Sequence, residues 1–287
     1  MNANKSRLYE DVKFLTDIRP YRNYKNLESL EKVAGYIKNE FSEAGFDPET
    51  QKWIASGNEY SNIIATYNPD AKKRLIVGAH YDVDGNQPGA DDNASAVAGL
   101  LETARLVAAN KPTINYRIDF VAYCLEEMPF AFTNKMGSYI HAKSLHNDKV
   151  EVIGMICYEM IGYFSDEPGS QSYPSPELAA IYPDTANFIV VVGIQKFHSF
   201  NEKVHTLMSK DSKISVEFIS FPDDHELAGL SDQYSYWKFG YPALMINDTS
   251  FIRNPNYHEV TDTIETLDFD KMTAVVNSAY NAITKIN

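Results

Sequence analysis

Strand and helix patterns alternate along the chain, the strand runs are short and continuously apolar, and no repeat, low-complexity tract or Ser/Gly linker separates them. These observations predict an α/β fold: a mostly parallel sheet covered by helices on both faces, in one domain over residues 1–287. With 44% hydrophobic and 23% charged residues, the chain can bury a large core and is not disordered.

The elements follow in order. Residues 27–44 carry Leu30, Val33, Ala34, Ile37 and Phe41 at helical spacing, and Gly45 is placed to stop the helix. Strands are expected at 61–67 and 74–79, a helix at 94–109, a strand at 116–125, a helix at 133–145 and a strand at 150–158. The stretch 162–187 holds Pro168, Gly169, Pro174, Pro176 and Pro183 and reads as a long ordered loop, the kind that lines sites. Beyond it come a strand at 187–192, a helix at 199–209, strands at 214–220 and 243–247, and a closing helix at 268–286.

Charge and cysteine usage exclude several classes. Thirty-nine acidic against 26 basic side chains give a net charge of −13, which repels phosphate backbones and anionic lipid, so neither nucleic acid nor a membrane is an expected partner. The two cysteines, Cys124 and Cys157, form no CxxC pair and read as buried thiols. The first twenty residues contain no apolar signal-peptide core and no run has membrane-spanning length, so the expected compartment is the cytoplasm.

Open α/β sheets place their sites beyond the carboxyl ends of the strands. Here RLIVGA ends in His80 with Asp82 two residues on, RIDFVAYCL ends in Glu126-Glu127, EVIGMICY ends in Glu159, and a loop after ALMIND carries His258. Asp91 and Asp92 precede the helix beginning at Ala94, where Asp92 or Asn93 would also suit a helix cap. Like charges converging on one sheet edge repel unless a divalent cation neutralises them, so a metal site is the economical explanation. Imidazole and carboxylate donors without thiolates suit Zn²⁺, with Mn²⁺ or Co²⁺ as substitutes, and a shared carboxylate would make a two-metal hydrolase centre.

The segments GAHYD (78–82), PGADDNASAVAGLLETARL (88–106), MGSYIHA (136–142), YEMIGY (158–163), LSDQYSYWKFGYPALMINDT (230–249) and NPNYHEVTDTIETLD (254–268) resemble the co-catalytic zinc exopeptidases of the bacterial leucyl aminopeptidase type, whose relatives include glutamate carboxypeptidase and glutaminyl cyclase. The resemblance covers roughly residues 60–270. It implies a three-layer α/β/α sandwich with a mixed, mostly parallel sheet. It also implies two zinc ions per chain, one held by His80, Asp91 and Glu159, the other by Asp91, Glu127 and His258, with Asp91 bridging. Glu126 would be the general base, taking a proton from the attacking water and passing one to the leaving amine, and Asp82 would sit behind His80.

Three departures from the family pattern stand out: Glu159 where Asp is usual, Gln233 where many relatives have His, and Met128-Pro129-Phe130-Ala131 in place of glycines after the Glu pair. The last is expected to reshape an apolar wall beside the metals, with 163–183 and 221–230 as further walls. The expected activity is aminopeptidase action on peptides or small amides. Carboxypeptidase, cyclase or N-acyl hydrolase chemistry and a silent metal-bound binder are the alternatives, and Arg253, the nearest cation for a carboxylate clamp, reads as a surface charge.

Overall fold

A computed structural model describes residues 1–286. Eight strands form one sheet in the order β1-β2-β4-β3-β5-β8-β6-β7. They are β1 (Glu49–Ala55), β2 (Asn58–Tyr67), β3 (Arg74–His80), β4 (Arg117–Tyr123), β5 (Val152–Glu159), β6 (Phe188–Ile194), β7 (Ser215–Phe221) and β8 (Ala243–Asn247). The central strands β4-β3-β5-β8 run parallel, as do β6 and β7, while β1, β2 and the β8-β6 junction are antiparallel. This is the expected three-layer sandwich with a mixed sheet.

Alternation along each strand splits the core in two. One face, with Leu75, Val77, Ile156 and Val191, packs against α1 (Lys5–Asp17), α2 (Leu27–Glu43), α3 (Ala96–Asn110), α6 (His198–Ser209) and α8 (Phe269–Lys285). The other, with Ile76, Tyr123, Met155 and Val192, meets α4 (Gly137–Asn147) and α7 (Gln233–Trp237).

The expected strands and long helices all form, with ends displaced by a few residues. Gly45 takes φ +95° past the end of α2, a conformation that favours glycine. Beyond the expected elements stand α1, β1 and the short helices α5 (Pro176–Ile181) and α7. In α1, Leu8, Val12 and Leu15 are buried at i, i+4 and i+7, and Asn4 accepts from the Ser6 and Arg7 amides, so a helical signal was present. By contrast β1 is a largely exposed edge strand, ETQKWIA, whose pattern follows from pairing with β2 rather than from its own residues. The loop 162–187 contains one short helix, α5 (Pro176–Ile181).

Register sets the site. His80, the last residue of β3, lies beside Tyr123 of β4, and Glu159, the last residue of β5, pairs with Asn247, the last of β8. Four parallel strands thus deliver their carboxyl ends to one edge. Both cysteines are buried free thiols, and among the described residues no helix is long and apolar enough to cross a membrane.

Candidate metal centre and its cavity

Two histidines face each other across one carboxylate. His80 Nε2 lies 3.4 Å from Asp92 Oδ1 and 3.3 Å from Glu159 Oε2, while His258 Nε2 lies 3.0 Å from Asp92 Oδ2 and 3.5 Å from Glu127 Oε2. Glu126 Oε2 is 3.7 Å from His80 Nε2, set beside the cluster. The structure therefore brings together His80, Glu126, Glu127, Glu159 and His258, and the carboxylate that lies between the two histidines is Asp92 rather than Asp91.

Asp91 must be corrected. Its Oδ1 accepts from the Gly162 amide at 2.9 Å and from Ser95 Oγ at 3.2 Å, and its Oδ2 accepts from Asn254 Nδ2 at 2.7 Å. These bonds tie the loop to the exits of β5 and β8 and turn the side chain away from the histidines. The divergence of two neighbours arises from the backbone, because Asp92 (φ −101°, ψ 91°) and Asn93 leave helical geometry inside the Ala90–Ser95 turn that leads into α3. Gly89 makes room for that turn. It has φ +61°, and a Cβ there would collide with the Asp92 carbonyl oxygen.

Two further carboxylates hold the charged loops from behind. Asp82 Oδ1 and Oδ2 accept from the Glu126 and Glu127 amides, each at 3.2 Å, and its backbone oxygen lies 3.2 Å from His80 Nδ1. Asp262 does the same for the other pair, accepting from the Asp91 amide at 2.9 Å and the Asp92 amide at 3.1 Å. Glu159 Oε2 accepts from Ser231 Oγ at 2.7 Å and Asn93 Nδ2 at 3.1 Å, so the longer Glu side chain is fixed rather than loose. Asp84 Oδ2 lies 3.6 Å from His258 Nδ1.

Asp84, Asp262 and Ser231 carry no assignment from sequence reasoning. Asp84 is the next alternate residue after His80 and Asp82, which was a usable signal. The partners of Asp262 lie some 170 residues away, and nothing local announces them. Gln233 is buried and donates to the Ala228 carbonyl, so it props the chain beside Ser231 and Asp232. Arg253 is also corrected: it is not a surface charge but is buried at 6% exposure, bonded to Gln171 Oε1 and the Phe188 carbonyl and stacked against Phe188.

The electrostatics fit a cation. Burial pushes Glu127 up to about 8, helped by Asp92, and pushes Glu126 well above the carboxylate range, with Glu127 and Glu159 adding to it against His80. Burial would lower both imidazoles, yet the carboxylates around them win: His80 rises well above its ordinary value and His258 rises to about 10. Asp92, opposed by burial but set between the two imidazoles, drops well below the usual range. Asp92 Oδ1, Glu127 Oε1 and His258 Nε2 are buried without any hydrogen-bond partner. Inward-facing orphan donors of this type fit Zn²⁺, which takes imidazole nitrogen and carboxylate oxygen in place of the protons held here. His80, Asp92 and Glu127 converge closely enough to share one ion.

A cavity of about 400 Å³ opens beside the cluster, reached by Glu126, Glu127, Glu159 and His258. Met128, Ala131 and Phe132 form part of its wall, as do Tyr173 and Leu178 from 163–183 and Leu227 and Leu230 from 221–230. All three segments expected to wall the site do so.

The model of peptidase family M28 matches residues 62–283. The chain belongs to peptidase family M28. It is a peptidase of that family. YfbL of Escherichia coli K12 is 40% identical over 285 residues, covering 96% of this chain and 86% of that protein. A probable leucine aminopeptidase of Trichophyton verrucosum is 25% identical over 302 residues, covering 99% of this chain and 74% of that protein. A Bacteroides thetaiotaomicron glutaminyl cyclase bound to N-acetylhistamine has the same fold, with a TM-score of 0.75, 21% identity and 99% of each chain covered. The family match begins at Asn62, so α1 and α2 lie outside it, although α1 packs on α3 through Arg105 and Asp11 at 2.6 Å.

Proposed function

We propose that this M28 peptidase is an aminopeptidase releasing amino-terminal residues from peptides, with two zinc ions between His80, Asp92, Glu127, Glu159 and His258 and with Glu126 as general base. The observation that carries the reading is the charge of the cavity: its charged lining consists of Glu126, Glu127, Glu159, Glu226 and His258, with no Lys or Arg among the described lining residues. Outside the zinc ligands and Glu126 the only charge is that of Glu226, so the lining offers a terminal carboxylate no side-chain cation and can meet a free α-ammonium group, which favours amino-terminal over carboxy-terminal attack. The burial of Arg253 removes the one cation considered for a carboxylate clamp.

Zinc supplies Lewis-acid polarisation of the scissile carbonyl and of the attacking water. Glu126 stands beside the ligand cluster without being needed to complete it, and burial raises its proton affinity, so it can take the proton of the water and hand it to the leaving nitrogen. Asp82 holds the backbone of both glutamates, so Glu126 and Glu127 keep separate tasks from adjacent positions. A water activated in this way needs no side-chain nucleophile, and the Cys124 and Cys157 thiols are buried.

Hydrolysis of aminoacyl-p-nitroanilides beside their N-acetylated forms, before and after chelation and zinc return, tests the reading. Free-amine substrates alone are cleaved, chelation abolishes cleavage, and Glu126→Gln lowers kcat by about a thousandfold with zinc content unchanged. Equal cleavage of acetylated substrates, or an unaffected Glu126→Gln enzyme, overturns it.

A further inference from the structure

The helical layer over the second face of the sheet is incomplete. There α4 and α7 lie over β2, β5 and β8, while α6 serves β6 and β7 only from the opposite face. Yet the side chains that β6 and β7 turn toward this bare face, Phe188, Val190, Val192, Ile219 and Phe221, are as apolar as those elsewhere in the core. An apolar sheet face without a packed layer leaves a space that only apolar matter fills favourably. Leu178 of the short helix α5 and the flanking residues Gln171, Tyr173, Tyr182, Leu227 and Leu230 roof it without filling it, and the result is the 400 Å³ cavity.

Register gives the space a direction. Asn247 pairs with both Glu159 and Val190, and Met245, Val192 and Ile219 stand side by side on β8, β6 and β7. The floor therefore runs from Glu159 at the metal end to Ile219 at the far end, across three strand-to-strand steps, roughly 14 Å. Bonds of about 1.5 Å carry a leucine side chain less than about 5 Å from its Cα, so leucine would occupy only the metal end.

We propose that this trough binds an extended apolar group, longer than leucine, carried on the acyl side of the scissile amide, and that it makes the enzyme selective for such substrates. The proposal rests on the peptidase reading for its orientation, because the reacting carbonyl must sit at Glu126 and the zinc ligands. Two substrate types share this chemistry: an amino-terminal residue with a long alkyl or indole-sized side chain, and an amide of a simple fatty acid.

The test is a chain-length series on the zinc-loaded enzyme: leucyl, norleucyl, 2-aminooctanoyl and 2-aminodecanoyl p-nitroanilides, with decanoyl p-nitroanilide as the arm lacking the amine. Buried methylenes should raise kcat/KM by at least about tenfold from norleucyl to 2-aminodecanoyl. Ile219→Trp, which blocks the far end, should collapse that ratio toward one. A maximum at leucyl with decline beyond it overturns the trough and leaves the aminopeptidase standing. Cleavage of the decanoyl amide in preference to every aminoacyl amide supports the trough and overturns the aminopeptidase reading instead. If nothing is hydrolysed, calorimetry with 1-aminodecane decides: binding that Ile219→Trp weakens by tenfold or more supports the trough, and no binding to the unmodified protein rejects it.

Discussion

The metal centre and the trough share a wall at Glu159 but are built on opposite physical terms. The centre is polar and over-determined: Asp92 faces two histidines, and Asp82 and Asp262 each grip two successive amides to hold the residues that carry charge. The trough is apolar and formed by omission, where a sheet face lacks its helices and loops span the gap. Displacing a charged group in the first changes whether an ion binds at all, whereas changing a side chain in the second alters only which substrate fits. Chemistry and selectivity are thereby separable in this fold.

The sharpest way to break that contrast is to exchange the two neighbours of the Ala90–Ser95 turn. Asp92→Asn removes the shared carboxylate and should weaken zinc binding by at least about a hundredfold, measured by competitive chelator titration. Asp91→Asn should keep the zinc stoichiometry and cost about 1–3 kcal/mol of stability, because only a buried tie between loops is weakened. Reversed phenotypes would return the bridging role to Asp91.

A smaller effect is expected from Asp262→Asn, whose amide cannot accept both backbone N–H groups. Zinc affinity should fall about ten- to a hundredfold without loss of fold by circular dichroism, and unchanged affinity would reduce Asp262 to a packing residue. Smallest of all is a pH effect on the metal-free protein. Glu127 at about 8 and His258 at about 10 both hold protons in the fold that the unfolded chain, at 4.5 and 6.5, would release. Folded pKa values above unfolded ones mean stability that is present at low pH and lost as pH rises, here across about 5 to 10. The Tm of chelated protein should therefore decline from pH 6 to 9, and zinc should flatten that slope; a rise instead would show that the cluster is not protonated when empty.

Much of the centre was legible because strand ends carry it. His80 and Glu159 terminate apolar runs, Glu126 and Glu127 follow a third, and parallel strands must deliver such residues to one edge. The layers were equally legible from periodicity, apart from β1, whose pairing lies with its neighbour. What failed was resolution at the scale of one residue. Asp91 and Asp92 have the same side chain and adjacent positions, and no pattern in the sequence distinguishes a ligand from a tie.

By itself, then, the sequence determined the α/β order, the residue types available for a metal and the edge at which they gather, because these depend on local periodicity and on the direction of parallel strands. Tertiary structure alone decided that Asp92 rather than Asp91 lies between the two histidines, that Arg253 is buried, that Asp262 braces the Asp92 loop, and that β6 and β7 lack cover on one face. Each of those depends on backbone torsions or on contacts between segments tens to hundreds of residues apart, and neither is written in the spacing of side chains along the chain.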